Sequence, residues 1–248
     1  MYSSFRQNYG MRQNYSGRRR AGCGCVSTLL IVVLVIGGFV FLVGRARNGV
    51  TLTVGAHPTL IGNNCTGTVF VQAGPANQVT LSGIFPQYTQ DNAANTIELD
   101  ECGGITITVP AIADLQLATS EAITVFGVSG TLKLSTNGSR IALEKVTLEG
   151  NSKIDDNGGP IVFDGSLAPN SAPTVSDNGG SIDMTLPADT SCQLKVTGIS
   201  GPLVSNFPGV QAPADTTSGI QTTIGGNSST INLTLEVNDT AMVLRRGS

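Results

Sequence analysis

Two stretches of this chain place a carboxylate directly before Asn-Gly-Gly: "DDNGG" at 155–159 and "SDNGG" at 176–180. The aspartates concerned, Asp156 and Asp177, are 21 residues apart. If that interval is one structural period, their carboxylates approach to about 5 Å, where two unit charges repel by roughly 0.8 kcal/mol in water. A Ca²⁺ ion would turn the repulsion into ligation, with asparagine and backbone carbonyls completing an oxygen shell. The simpler expectation is a pair of exposed turn aspartates angled apart into solvent. No metal ligand is assigned on this spacing.

Other chemistry finds less support. Cys192 is a nucleophile candidate, but His57 is the one histidine of the chain and lies far upstream. No Gly-x-Ser-x-Gly elbow stands between a strand and a helix. Polysaccharide-cleaving enzymes need convergent acids, or acids with Lys or Arg, on one face. Here Lys133, Arg140, Lys145, Lys153 and Lys195 read as scattered. Lys133 with Glu144, and Arg140 with Glu121, read as surface pairs of little energetic weight. Fold alone cannot supply an activity, so no catalytic, cofactor-binding or metal residue is assigned and the enzyme reading ranks last.

The elements that would position these residues are strands. Apolar residues alternate with polar ones in "ITITV" (105–109), "LQLAT" (115–119), "TLKLST" (131–136), "IDMTL" (182–186), "QLKVT" (193–197) and "INLTLEV" (231–237). Period-two alternation marks strands with one buried face. The apolar residues that open successive strands, Ile105, Ile123, Ile141, Ile161, Ile182, Leu203 and Ile231, recur at intervals of 18, 18, 20, 21, 21 and 28. The turns Asn137-Gly138, Asn157-Gly158 and Asn178-Gly179 keep the same period independently, and Thr197-Gly198 follows. Such units predict an all-β fold, a β-solenoid or β-helix-like stack of 18–21-residue coils.

In that stack Asn-Gly makes each corner, because Gly and Asn reach positive φ at least cost. Asn137, Asn157 and Asn178 should lie above one another and hydrogen-bond in a ladder. Residues 48–100 lack these turns and are expected to form a cap or flatter sheet. Residues 205–221 should be a surface loop, and 231–246 the last coil, with Arg245 and Arg246 blocking edge-to-edge pairing.

Charge divides the chain in two. Residues 1–47 carry seven arginines and no acid, whereas 48–248 carry seven Lys/Arg against 17 Asp/Glu. An acidic body lacks the clustered cations that phosphate neutralisation requires, so nucleic acid is not an expected partner. Residues 21–44, "AGCGCVSTLLIVVLVIGGFVFLVG", hold no charge. As a helix they would run roughly 36 Å, enough to cross a hydrocarbon core of about 30 Å. The apolar stretch is long for a signal-peptide core, and "GRARNG" after it offers no small-x-small cleavage site.

The expected organisation is a basic tail (1–20), a transmembrane helix in membrane lipid (21–44), a linker (45–55) and a β domain (56–248). The arginine bias places the N-terminus in the cytoplasm and the β domain outside. Cys23 and Cys25 then sit at the helix entrance, and the tail, with "RQNYG" and "RQNYS", can meet anionic lipid heads. An oxidising exterior allows one disulfide among Cys65, Cys102 and Cys192. Cys65–Cys102 is the preferred pair, since each introduces a similar strand ("CTGTVFV", "CGGITITV"). The lack of close Cys spacing argues against a zinc site.

The run "NGGSIDMTLP…CQLKVTGISG…NFPGV…IGGNSSTINLTLE" resembles the bacterial putative-adhesin family, over roughly residues 100–245. The family pattern is Asn-Gly-x-Ile-x-x-x-Leu-Pro, a strand, a Gly turn, then a Gly-rich turn and a final strand. Here the first element, Asn-Gly-Gly-Ser-Ile, is one residue longer. The resemblance implies a membrane-anchored cell-surface role in adhesion, with a glycan or another surface as ligand, and brings no catalytic residues. The alternative expectation is an envelope sensor or scaffold that works through its cytoplasmic tail.

Overall fold

The computed structural model describes residues 49–83, 86–198, 201–211, 219–226, 229–238 and 241–247. The chain divides into two units, 1–44 and 45–248, and all described residues belong to the second. The expected tail, the transmembrane helix and Cys23 and Cys25 lie outside the described residues.

Every described element is a strand. In chain order they are β1 (Val50–Thr53), β2 (Thr59–Cys65), β3 (Val69–Gly74), β4 (Gln78–Ser82), β5 (Gln87–Asp91), β6 (Thr96–Glu101) and β7 (Ile105–Pro110). There follow β8 (Asp114–Thr119), β9 (Ile123–Phe126), β10 (Ser129–Gly130), β11 (Leu132–Thr136), β12 (Ile141–Leu148), β13 (Lys153–Asp156) and β14 (Pro160–Leu167). The last third holds β15 (Thr174–Asn178), β16 (Ser181–Leu186), β17 (Cys192–Thr197), β18 (Leu203–Ser205), β19 (Ile220–Ile224), β20 (Asn232–Asn238) and β21 (Ala241–Arg246).

The strands form two mixed sheets. One has 11 strands in the order β1-β4-β7-β3-β9-β12-β14-β16-β21-β18, with β10 attached to β12. The other has ten, in the order β19-β17-β20-β15-β13-β11-β8-β2-β6-β5. Pairs such as β8/β9, β11/β12, β13/β14 and β15/β16 are circuits: a strand in the ten-stranded sheet, a corner, then a strand in the eleven-stranded sheet. Neighbouring circuits pair in parallel and in register, Ile123↔Ile141↔Ile161↔Ile182 on one sheet and Leu117↔Leu134↔Ile154↔Val175 on the other. Antiparallel pairing is confined to the outer strands, β1–β4, β4–β7, β5–β6 and β17–β19.

The alternation explains this arrangement. In β8 and β16 every second residue is buried, so one face of each strand turns inward. A single circuit could not cover its own apolar face. Stacked circuits bury Leu117, Ile123, Leu134, Ile141, Leu143, Phe163 and Leu194 almost completely in one core, each worth roughly 1.5–3 kcal/mol.

The order of circuits departs from the sequence at both ends. The interval series makes Ile105 the neighbour of Ile123. Instead Val69 of β3 lies between them, pairing with Ile105 on one side and Ile123 on the other. Likewise Met242 of β21 lies between Ile182 and Leu203. Residues 48–100 are therefore not simply a cap, because β2/β3 and β6 are full members of the stack. The segment 231–246 is not the last circuit in space either. Arg245 and Arg246 guard no open edge: Arg245 pairs with Asp183, and Arg246 donates from Nε to the Ala188 carbonyl. Within the expected loop 205–221, Phe207 and Val210 pack into the core. These corrections share one cause, that any strand with the same inward alternation can occupy the same rung.

Candidate functional site

The corners line up where the ten-stranded sheet hands the chain to the eleven-stranded one. Gly138, Gly158 and Gly179 take φ of 82°, 110° and 100°, the left-handed conformation expected of Asn-Gly. Beside them the asparagines form the ladder. Asn157 Nδ2 donates to Asn137 Oδ1 at 3.0 Å, and Asn178 Nδ2 to Asn157 Oδ1 at 2.9 Å. Asn238 Nδ2 adds a fourth rung, donating to Asn178 Oδ1 at 2.7 Å. That rung is 60 residues downstream of its partner and carries no glycine, so the period could not reveal it.

One residue before each asparagine, and before Ser120 in the preceding circuit, the side chain turns inward. Thr119, Thr136, Asp156, Asp177 and Val237 follow one another in register. Asp156 and Asp177 are brought together, as their spacing suggested, but they are 3% and 1% exposed rather than out in solvent. Asp156 is held by donors on both oxygens. Oδ1 accepts from the Thr136 hydroxyl and from the Gly138 N–H at 3.2 Å, and Oδ2 accepts from the Gly159 N–H. Asp177 Oδ1 accepts from the Gly180 N–H at 3.2 Å, while its buried Oδ2 has no donor.

This geometry explains the second glycine of each Asn-Gly-Gly. A Cβ on Gly159 would lie 2.6 Å from Asp156 Oδ2 and 2.5 Å from the Ser139 carbonyl. A Cβ on Gly180 would meet the Gly159 carbonyl at 2.0 Å. Where the inward residue is Thr136, the sequence has Ser139 in place of glycine.

Burial pushes the Asp177 carboxyl above its ordinary range, and the charge of Asp156 pushes the same way, against the Gly180 N–H and the nearby backbone of Gly158 and Asn178. These oxygens serve the turn. Among the described residues no group of three or more His, Cys, Asp or Glu forms a metal-ligand cluster.

The lysines give the largest correction to the sequence reading. Lys133 and Lys153 are cross-strand neighbours, and the register continues Lys153↔Thr174↔Thr234↔Lys195. Three of the four lysines of the chain thus stand in one column on the outer face of the ten-stranded sheet. The intervals of 20 and 42 residues are one and two periods of the repeat, and β20, inserted between β15 and β17, adds a rung without shifting the column. Lys153 Nζ lies 3.5 Å from Asp155 Oδ2, while Lys133 and Lys195 have no ion-pair partner among the described residues. A groove of about 540 Å³ runs over Asn63, Gln116, Lys133, Ser135, Asn151 and Lys153.

Acids share that face, Glu98, Asp114, Asp155 and Glu236 among them, and the other sheet carries its own. Glu144 is the cross-strand neighbour of Asp164, and Asp183 is on the same outer face. Lys133 and Glu144 are therefore on different sheets and do not pair. The expected Arg140–Glu121 pair is not among the described ion pairs either, which are His57–Asp114 at 3.1 Å, Lys153–Asp155 and Arg245–Asp183.

Cys65 and Cys102 form a disulfide that joins the corners of two adjacent circuits. Cys192 is a buried free thiol whose burial pushes its pKa up to about 11. Five strands of the ten-stranded sheet separate β17, which carries it, from β2 next to His57. The two are not brought together.

No known protein family matches the sequence, and no curated protein matches it. One solved structure similar to the chain is a putative cell adhesion protein from Clostridium sporogenes. It is 12% identical, and the alignment covers 81% of this chain and 99% of that one with a TM-score of 0.43. A likeness that faint carries no argument about fold or function.

Proposed function

We propose that the chain is a membrane-anchored cell-surface protein whose β unit is a solenoid that binds surface or cell-wall material. The anchor would be residues 21–44, with the arginine-rich N-terminus in the cytoplasm and the β unit outside. The observation that carries the binding role is the in-register stack, which repeats outward side chains in straight columns at strand spacing, ~4.8 Å. Columns of hydroxyls, amides and charges suit an extended ligand, since many weak contacts along it add up. Two groups placed to act together on a bond are not part of this reading: the proposed role is display, not catalysis.

The test uses the full chain in neutral detergent, incubated with intact cells and a panel of insoluble polysaccharides. Retention on a particle without sugar release is the expected result. Release of sugars would replace the binding role with an enzymatic one, and no retention on any surface would remove it. The topology is tested separately in cells by protease: the β unit should be digested from outside and residues 1–20 protected.

A further inference from the structure

We propose that the outer face of the ten-stranded sheet is a binding track for an acidic polysaccharide, a polyuronate whose carboxylates meet Lys133, Lys153 and Lys195. The proposal rests on the binding role above and names its ligand class.

The column is costly to keep without an anion. Like charges directly opposite one another destabilise a sheet, and Lys133 faces Lys153 across one strand pair. Lysine is also a poorer strand residue than the threonines that fill the neighbouring rungs Thr174 and Thr234. Neither Lys133 nor Lys195 is engaged by an acid among the described residues. Yet residues 48–248 carry 17 acids and only four lysines, of which three share this column. On the other sheet Glu144 stands beside Asp164 and Arg245 is taken up by Asp183, so no comparable column of lysines is offered there.

The surroundings select a sugar. Ser135 and Ser176 flank the lysines, and Asn151 and Gln116 line the groove at one end. These hydroxyls and amides can exchange hydrogen bonds with sugar hydroxyls. Asp155 and Glu236 stand in the next column, and Asp155 already holds Lys153, so among the described residues Lys133 and Lys195 are the lysines of the column without an acid. Duplex nucleic acid, with one charge per ~1.7 Å, needs a denser array of cations than three lysines interrupted by acids. A polyuronate bears one carboxylate per sugar, so a few of its charges can engage while the rest stay in solvent.

The test measures binding of soluble polygalacturonate to the full chain in neutral detergent. It compares the wild type, the triple variant Lys133→Gln/Lys153→Gln/Lys195→Gln, and Lys145→Gln, which removes the fourth lysine from the other sheet. Three exposed charge pairs should together be worth about tenfold in half-saturating concentration. The expected result is binding by wild type and Lys145→Gln, about tenfold weaker binding by the triple variant, and loss of the difference at high salt. If the triple variant melts early, Lys195→Gln alone supplies the comparison. Equal binding by wild type and triple variant overturns the track. So does retention on a neutral glucan without polygalacturonate binding, although the general binding role then survives. Preference for duplex DNA or phosphatidylglycerol vesicles over polygalacturonate overturns it as well. Retention on nothing removes both readings.

Discussion

The central circuits, β8/β9 through β15/β16, follow one another in space as they do in sequence. At the two ends the chain doubles back. The first circuit, β2/β3, is inserted between β6/β7 and β8/β9, and the last, β20/β21, between β15/β16 and β17/β18. The centre is built by local succession, each strand laid on the one formed about twenty residues earlier. The ends are built by long-range pairing and finished with antiparallel strands β1, β4, β5 and β19. A parallel stack offers an unpaired edge at each end. Reversing the chain direction there lets short hairpin-like returns cover most of those edges, which limits edge-to-edge association.

The comparison predicts unequal stability. Leu143→Ala, in the fully buried centre, should cost about 3 kcal/mol. Leu203→Ala, on half-buried β18, should cost about 1 kcal/mol. Urea unfolding of both variants checks this, and equal losses would mean the ends are as tightly built as the centre. The disulfide should matter next, because it closes a 37-residue separation between inserted β2 and outer β6. Replacing both Cys65 and Cys102 with serine should cost about 2–3 kcal/mol. Hydrogen exchange should then rise in β2 and β6 and remain unchanged in β13–β16.

Smaller effects come from the corners. Asn157→Ala removes two amide bonds of the ladder and should cost about 1 kcal/mol, read from thermal unfolding. Asp177→Asn should act in the opposite direction. The folded protein raises the Asp177 carboxyl above its ordinary 3.8, so the fold binds that proton more tightly than the unfolded chain does. Its stabilising contribution is complete below the unfolded value and is lost as pH rises through the folded one. An uncharged amide should recover roughly 1 kcal/mol near neutral pH, by relieving the buried unpartnered oxygen. A melting series across mildly acidic to neutral pH should show the wild type losing stability with rising pH relative to Asp177→Asn.

Much of this could be read directly from the chain. Alternation in "LQLAT" and "IDMTL" identified strands and their buried faces. The recurrence of Asn-Gly located three corners and the ladder that joins them. The preferred cysteine pair is the one formed. Burial of Asp156 and Asp177 was not legible, because a turn sequence does not reveal which way its first side chain points. The glycines at 159 and 180 are its one trace: in these two turns the Asp carboxylate folds back to accept from the N–H of the glycine three residues on.

By itself the sequence determined the all-β character, the corner chemistry and the register of the central circuits, because period-two burial and positive φ are local properties. Tertiary structure alone decided which circuits are neighbours at the ends. Val69, Ile105, Met242 and Leu203 all satisfy the same inward rung, and hydrophobic burial is non-directional, so composition cannot rank them. The lysine column survives that choice: Lys133, Lys153 and Lys195 stand whole periods apart, and the inserted β20 only adds the rung Thr234 between Thr174 and Lys195.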